Sequence, residues 1–278
     1  TITSIIRGRH ATPVTPLDQV QESRIDGPSP ERYDYNVTVN AAAGTLRGSG
    51  RIALVNDSDG PLDDIVLRTW PNAPQLAATG AHASLSNVTV NGHPARVEML
   101  QDGTAARLVL DTPLAPGVRA DVRFNLDVSA GSKANRLGRT TDGIVSFGNA
   151  LPTVALRDAS GWRVPRYVDS GESWSSLPAD WNLSVHTDAG TRVVATGDPA
   201  SSALGAYRFH ASQRRDALIV AGPADRLVDH SATAADGTTV HVWASPDQTE
   251  AAEMLRNVTA AHDYYTRQYG NAAQRDVS

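Results

Sequence analysis

The segment VRADVRFNLDV, residues 118–128, decides the fold class of this chain. Its apolar residues occupy every second position and polar residues lie between them, which is the pattern of a β-strand with one buried face. A helix would instead repeat its apolar residues at steps of three and four. The segment therefore predicts a half-buried strand.

Similar alternation occurs on both sides of this segment. Tyr33, Tyr35, Val37 and Val39 share one parity. The dipeptide Asn91-Gly92 between alternating stretches is typical of a two-residue hairpin turn, since both residues tolerate positive φ. The glycines of the Gly48–Gly50 stretch, inside a strand pattern, indicate a bulge or a close packing point. Further strands are expected at 144–148, 181–186, 192–196, 206–211, 217–221 and 239–243.

These patterns predict a mainly β fold, a large antiparallel saddle- or sandwich-like β domain followed by one C-terminal α-helix. Residues 1–30 are proline-rich and are expected to form an extended lead-in. Residues 31–244 form the β-rich region, and residues 245–278 contain the helix. Ser245, Pro246 and Gln248 match a helix start, and Gly270 matches a helix end.

Composition excludes several classes of function. The 278 residues carry a net charge of −5 and contain no cysteine, so disulfides and thiolate metal sites are absent. Basic residues are interleaved with acidic ones, so nothing resembles the basic stripe of a nucleic-acid-binding protein. No apolar run is long enough to span a membrane, so no transmembrane segment is expected.

The sequence contains neither a known catalytic motif nor a metal-binding motif. Zinc peptidases use H-E-x-x-H, and the nearest stretch, which starts at His262, lacks the glutamate and the second histidine. The serine-hydrolase motif G-x-S-x-G and glycine-rich phosphate loops are also absent. We therefore expect no catalytic residue and no metal ligand in this chain.

One acidic residue, Glu172, attracts interest because the aromatic residues Trp162, Tyr167 and Trp181 surround it in sequence. Its carboxylate could face a ligand or a partner. It could equally accept backbone N–H groups and order its own loop. The sequence leaves both alternatives open.

Several stretches, taken in order, resemble a known family. The first strand reads YDYNV at residues 33–37, followed by GRIALVNDS at 50–58 and LDDIVLR at 62–68. Later come FGNALP at 147–152, GW at 161–162, GES at 171–173, ADWNLSV at 179–185, VATG at 194–197 and RDALIVAG at 215–222. The chain thereby resembles the N-terminal β domain of aminopeptidase N-type (gluzincin) zinc metallopeptidases, especially their divergent bacterial members.

This resemblance implies a saddle-shaped β domain that packs on a catalytic domain of the same polypeptide. Zinc is expected in that catalytic domain, with none in the present chain, and the helix of residues 245–278 would begin it. The parent would be a secreted or cell-envelope peptidase that removes N-terminal residues from peptides. A Gln or Glu of the β domain often binds the substrate's amino terminus, and the corresponding position here lies near Asn149.

Two functions follow as hypotheses. In the first, the chain is the substrate-cleft and support domain of an exported zinc aminopeptidase-like protein, with peptide as substrate. In the second, it is a stand-alone extracellular β-sandwich module that binds protein or carbohydrate through aromatic loops such as 162–181. We also expect Trp70, Pro71 and Trp181 to lie largely in the core, and one side of the helix, around Val258, His262 and Tyr265, to be incompletely buried.

Overall fold

A computed structural model describes residues 31–168, 175–203, 205–270 and 276–277 of this chain. The lead-in expected at residues 1–30 lies outside the described residues, as does Glu172. Within the described part, β-strands dominate and one long helix follows them, which confirms the predicted fold class.

The strands, in chain order, are β1 (Arg32–Asn40), β2 (Thr45–Val55), β3 (Leu62–Arg68), β4 (His82–Val90), β5 (His93–Pro94), β6 (Arg96–Leu100), β7 (Ala105–Leu114), β8 (Arg119–Ser129), β9 (Leu137–Arg139), β10 (Val145–Phe147), β11 (Thr153–Val154), β12 (Arg157–Asp158), β13 (Gly161–Trp162), β14 (Ala179–Thr187), β15 (Thr191–Ala195), β16 (Asp198–Ala203), β17 (Ala206–Arg214), β18 (Ile219–Pro223), β19 (Val228–Thr233), β20 (Thr239–Ala244) and β21 (Asp276–Val277). The helices are α1 (Pro74–Ala77) and α2 (Ala251–Tyr269), and short 3₁₀ turns span Trp70–Asn72 and Gln101–Gly103.

Three sheets carry most of the fold. The largest has eight strands in the order β16-β17-β14-β1-β2-β8-β4-β5. A second has the order β15-β18-β10-β9, and a third has the order β11-β3-β7-β6. The hairpin β12-β13 and the small sheet β19-β20-β21 complete the described part.

One hydrophobic core joins the three sheets. Leu46 and Ile52 of β2, Leu67 of β3, Phe147 of β10 and Ile219 of β18 are all buried in the same cluster. In β8 the inward positions are buried and the outward positions are polar, as the alternation predicts. The arrangement is therefore sandwich-like, with the outer face of the eight-stranded sheet left polar.

Among the described strands, pairing is mostly antiparallel, with two exceptions that the sequence pattern does not reveal. Strand β1 pairs in parallel with β14, and β20 pairs in parallel with β21. Parallel neighbours need a long crossover connection. The chain between β1 and β14 is long enough, since it contains strands β2 to β13, including all of the third sheet and two strands of the second.

Two local predictions concern backbone conformation. Asn91 and Gly92 both have positive φ, 53° and 83°, and they join β4 to β5 as a hairpin turn. A Cβ on Gly48 would lie 2.1 Å from the carbonyl oxygen of Asn36, and the β1–β2 register runs without a shift. Gly48 is thus a close packing point, and the bulge considered as an alternative is absent there.

Helix α2 begins at Ala251, later than the sequence predicts. The Ser245 hydroxyl donates to the Asp247 carboxylate at 2.8 Å instead of capping a backbone N–H. Arg226 binds the same carboxylate at 2.8 Å, so residues 245–250 form turns before the helix. The predicted end is confirmed, because Gly270 has φ 90° and donates its N–H to Thr266.

No helix in the described ranges combines the length and the apolar character that a membrane crossing requires.

Candidate functional site

Asn149, the residue expected to face a substrate, lies in the link between β10 and β11. Its φ is 55°, in the left-handed region that Asn adopts more readily than other non-glycine residues. The residue is 7% exposed. The structure therefore places Asn149 in a buried turn, and its contact with a substrate stays a prediction.

Two tyrosines of β1 hold the end of this link. The Tyr35 hydroxyl donates to the carbonyl oxygen of Pro152. The N–H of Val154 donates to the Tyr33 hydroxyl at 3.0 Å. Both side chains point inward because β1 alternates, and both are at most 2% exposed. The strand therefore fixes the position of the turn that carries Asn149.

The Tyr33 hydroxyl in turn donates to the carboxyl group of Glu31. Glu31 is 7% exposed, and burial raises the pKa of its carboxyl from 4.5 to about 7, with Asp57 adding to the rise. The hydrogen bond from Tyr33 opposes that rise. The pair thus places a carboxyl group that can exchange a proton near neutral pH beneath the β10–β11 link.

Trp181 of β14 packs against the rings of these two tyrosines. Its ring stacks on Tyr33 with centroids 4.3 Å apart, and on Tyr35 at 6.2 Å. Its indole N–H donates to the carbonyl oxygen of Arg214 at 2.8 Å. Trp181 is fully buried and Trp70 is 5% exposed, so both tryptophans and Pro71 lie in the core as predicted.

A buried cation lies beside the same link. Arg68, at the end of β3, pairs with Thr153 of β11 and is 2% exposed. Its guanidinium carbon lies 3.8 Å from the ring centroid of Trp70, and its Nη2 donates to the carbonyl oxygen of Pro165 at 2.9 Å. Burial lowers the pKa of Arg68 to about 10. Nε and Nη1 contact no acceptor among the described residues.

The second predicted residue, Glu172, lies outside the described residues, so neither of its two interpretations is tested. Of the aromatic residues near it in sequence, Trp162 is half-buried and donates its indole N–H to Asp64 at 2.6 Å. The ring of Tyr167 lies beside that of Trp70, with the two ring centroids 6.2 Å apart. Because Trp181 is fully buried, it cannot contribute to an aromatic binding surface.

The residues that the structure describes contain no cluster of side chains that could bind a metal ion. No three His, Cys, Asp or Glu side chains there come close enough to hold an ion. His262 lies 3.2 Å from Asp236, and His241 lies 2.9 Å from Asp229, so each histidine forms a pair with one carboxylate. A catalytic zinc normally has three protein ligands, which these pairs do not supply.

A groove of about 570 Å³ runs between the second sheet and the unit formed by β20 and α2. Its lining is mainly apolar and includes Leu218, Trp243, Met254 and Val258. Met254 is 51% exposed, and Leu218 and Val258 are each 37% exposed. Apolar side chains that line an open groove often mark a contact surface.

The predicted incomplete burial of one side of α2 is confirmed at all three positions. Val258 lines the groove and Tyr265 is 59% exposed. His262 is more enclosed than these two residues, since its imidazole lies 3.2 Å from Asp236, but 11% of its side chain is exposed and it too is incompletely buried. Exposed Tyr264 and Tyr269 extend the apolar surface toward the helix end.

Sequence reasoning missed Glu31 and Arg68, the two buried charged groups beside the β10–β11 link. Arg68 did carry a signal, since it directly follows an apolar run and lies two residues before Trp70, an aromatic residue that can stack on a guanidinium. Glu31 carried none, because a glutamate before a strand usually lies in solvent.

Comparisons with known proteins find similarity in structure alone. No protein-family model and no curated protein matches the sequence. A solved structure of a two-domain M1 zinc metallopeptidase, in a mutant form bound to L-arginine, matches with a TM-score of 0.55 and 16% identity. The match covers 90% of this chain and 55% of that protein.

The M1 zinc metallopeptidase from Deinococcus radiodurans matches in the same way, with a TM-score of 0.53, 16% identity and coverage of 90% and 55%. At this identity the likeness shows the fold. It confirms that the described chain has the fold expected from the resemblance to zinc metallopeptidases. The chain spans about half the length of the structures it matches.

Proposed function

We propose that this chain is the substrate-cleft and support domain of an exported zinc aminopeptidase-like protein. One observation carries the proposal: the likeness to M1 zinc metallopeptidases covers 90% of this chain but only 55% of their length. A further domain of the same polypeptide would be the catalytic partner. The activity of the whole protein would be removal of N-terminal residues from peptides.

In this proposal the zinc ligands come from the catalytic domain. Among the described residues no three metal-ligating side chains lie together, and His241 and His262 each lie beside a single carboxylate. When bound, zinc would polarise the scissile carbonyl and activate a water molecule. The present chain would shape the cleft and position the peptide.

The groove along α2 supports a second domain packed on this surface. Met254 and Val258 face it from the helix, and Leu218 faces it from the chain just before β18. Covering these apolar side chains would remove them from water, which is the main favourable term in association. Tyr265 and Tyr269 would extend the contact, because aromatic side chains are enriched at interfaces.

Asn149 is the residue we propose for contact with the peptide amino terminus. Its amide oxygen can accept a hydrogen bond from an ammonium group. The turn that carries it is anchored through Pro152 and Val154 to two buried tyrosines, which is the rigid support that a positioning residue needs. Export to the cell envelope or the medium is part of the proposal.

The test uses the natural protein purified with its full polypeptide. We expect one zinc ion per molecule after dialysis and release of the aminoacyl group from aminoacyl-arylamide reporters. Addition of a chelator should abolish release, and zinc should restore it. A natural protein without zinc and without this activity would contradict the proposal and would favour the stand-alone binding module.

A further inference from the structure

We propose that Arg68 is a receptor for a carboxylate group, and that the C-terminal carboxylate of a short peptide is the ligand it takes. The inference rests on the contacts of the guanidinium and does not depend on zinc or peptidase activity. It concerns a different group from Asn149, which is proposed to meet a peptide amino terminus.

The guanidinium of Arg68 is held in place on one face and along part of its edge. Trp70 covers the face at 3.8 Å, and the Pro165 carbonyl accepts one hydrogen bond from Nη2. An arginine has five N–H groups, of which Nε carries one and Nη1 carries two. These three contact no acceptor within the described part of the chain.

Such an arrangement is unusual for a buried cation. Buried arginines are normally paired with a carboxylate, because an unpaired charge in the interior is strongly unfavourable. No ion pair of the described residues includes Arg68, whereas the half-buried Arg51 and Arg107 each have acidic partners. Three free donors on a buried cation therefore predict an anionic acceptor that these residues do not supply.

The number of charges favours a carboxylate. Arg68 is a single cation, and its Trp70 and Thr153 neighbours are uncharged. One monovalent carboxylate balances one guanidinium, and its two oxygens match two parallel N–H groups. A phosphate carries close to two negative charges and would leave one without a partner.

The contact with Pro165 favours a peptide as the source. Pro165, whose carbonyl oxygen accepts from Arg68, lies at the surface, as do Arg166 and Val168, which is 47% exposed. The carbonyl of Pro165 already occupies one donor of the guanidinium. A peptide C-terminus offers the same kind of backbone with a charged acceptor, and charge-assisted hydrogen bonds are about twice as strong as neutral ones. It can therefore compete with Pro165 for Arg68.

The test is a titration of the natural protein labelled with ¹⁵N, followed through the arginine Nε–H signals by NMR. The probes are N-acetylglycine and N-acetylglycinamide, which differ only in the carboxylate. We expect N-acetylglycine to shift one buried, slowly exchanging Nε–H signal saturably, and N-acetylglycinamide to leave it in place. Arg68→Lys should remove this signal and with it the response.

Arg47→Lys is the matched control, since Arg47 is exposed and paired with Asp127. That variant should retain the response in full. If Arg68→Lys does not fold, Trp70→Phe keeps the arginine and changes the ring over it, so the responding signal should move in this variant. Absence of any shift with N-acetylglycine, or equal shifts with both probes, would overturn the proposal and leave Arg68 a structural cation satisfied by water.

Discussion

The rings of Tyr33 and Trp181 stack with centroids 4.3 Å apart and planes 15° from parallel. Residue 33 lies in β1 and residue 181 in β14, and the two are direct partners in the parallel pairing of these strands. The contact therefore ties the first strand to one far along the chain. It also supports the Tyr33 hydroxyl that binds Val154 and Glu31.

Trp181→Ala should lower the free energy of unfolding by about 3–5 kcal/mol, the usual range for a buried aromatic residue. The indole is fully buried and its N–H is hydrogen-bonded to Arg214, so the variant loses packing and leaves a carbonyl unpaired. Urea denaturation measures the change. Tyr264→Ala is the control, because Tyr264 is 54% exposed and its loss should change stability by less than about 0.5 kcal/mol. An unchanged midpoint for Trp181→Ala would contradict this packing.

The pH dependence of stability should reveal Glu31. Its pKa is about 7 in the folded protein and 4.5 in the absence of burial, so the folded state binds more protons between these values. Stability from this group is therefore complete below pH 4.5 and falls as the pH rises through 7. The upper bound on the loss is about 3–4 kcal/mol, since the pKa rises from 4.5 to about 7 and each pKa unit corresponds to about 1.4 kcal/mol.

Glu31→Gln removes the titrating group and should remove this loss. Urea denaturation at pH 5 and pH 8 compares the two proteins. We expect the natural residue to lose more stability between these values than the glutamine variant does. Equal losses in both proteins would show that Glu31 is ionised and solvated in the folded state.

Gly50→Ala should destabilise the eight-stranded sheet by about 1–3 kcal/mol, as overpacking in a core does. The added Cβ would lie 2.5 Å from the Phe124 ring and 2.8 Å from the Tyr35 ring. Gly60→Ala is the matched control, since no atom lies within 4 Å of a Cβ at Gly60. Thermal unfolding compares the melting temperatures of the two variants. Equal values would count against the close approach at Gly50.

Local features of the fold were predictable from sequence, because their causes lie within a few residues. The alternation of β8, the Asn91-Gly92 turn and the Gly270 helix end each depend on neighbouring positions. Pairing between distant strands was not predictable. The parallel contact of β1 with β14 depends on how the intervening chain packs, which no periodicity encodes.

The candidate site was predictable only in part, since two of its charged side chains are buried, whereas charged side chains usually lie in solvent. Asn149 was found through the family resemblance, whereas Glu31 and Arg68 were passed over because charged residues usually lie in solvent. The helix start was misplaced for a related reason. Ser245 binds a side chain, Asp247, where a capping serine would bind the backbone.

The groove surface of α2 should tolerate polar substitution in the 278-residue chain. Met254→Gln should change the free energy of unfolding by less than about 0.5 kcal/mol, since Met254 is 51% exposed. In the natural protein the same substitution should lower the free energy of unfolding by more, because the proposed second domain would cover this position. Leu227→Gln, at a 2% exposed position lining the same groove, should destabilise both proteins strongly. Equal small effects of Met254→Gln in both proteins would argue against a covering domain.

The intact mass of the natural protein tests the central claim most directly. The account predicts a mass well above that of 278 residues, since the metallopeptidase structures that share the fold are covered only to 55% of their length. It further predicts that the additional sequence contains H-E-x-x-H and a downstream glutamate as zinc ligands. A natural protein with the mass of these 278 residues would contradict the account and leave the stand-alone binding module as the better explanation.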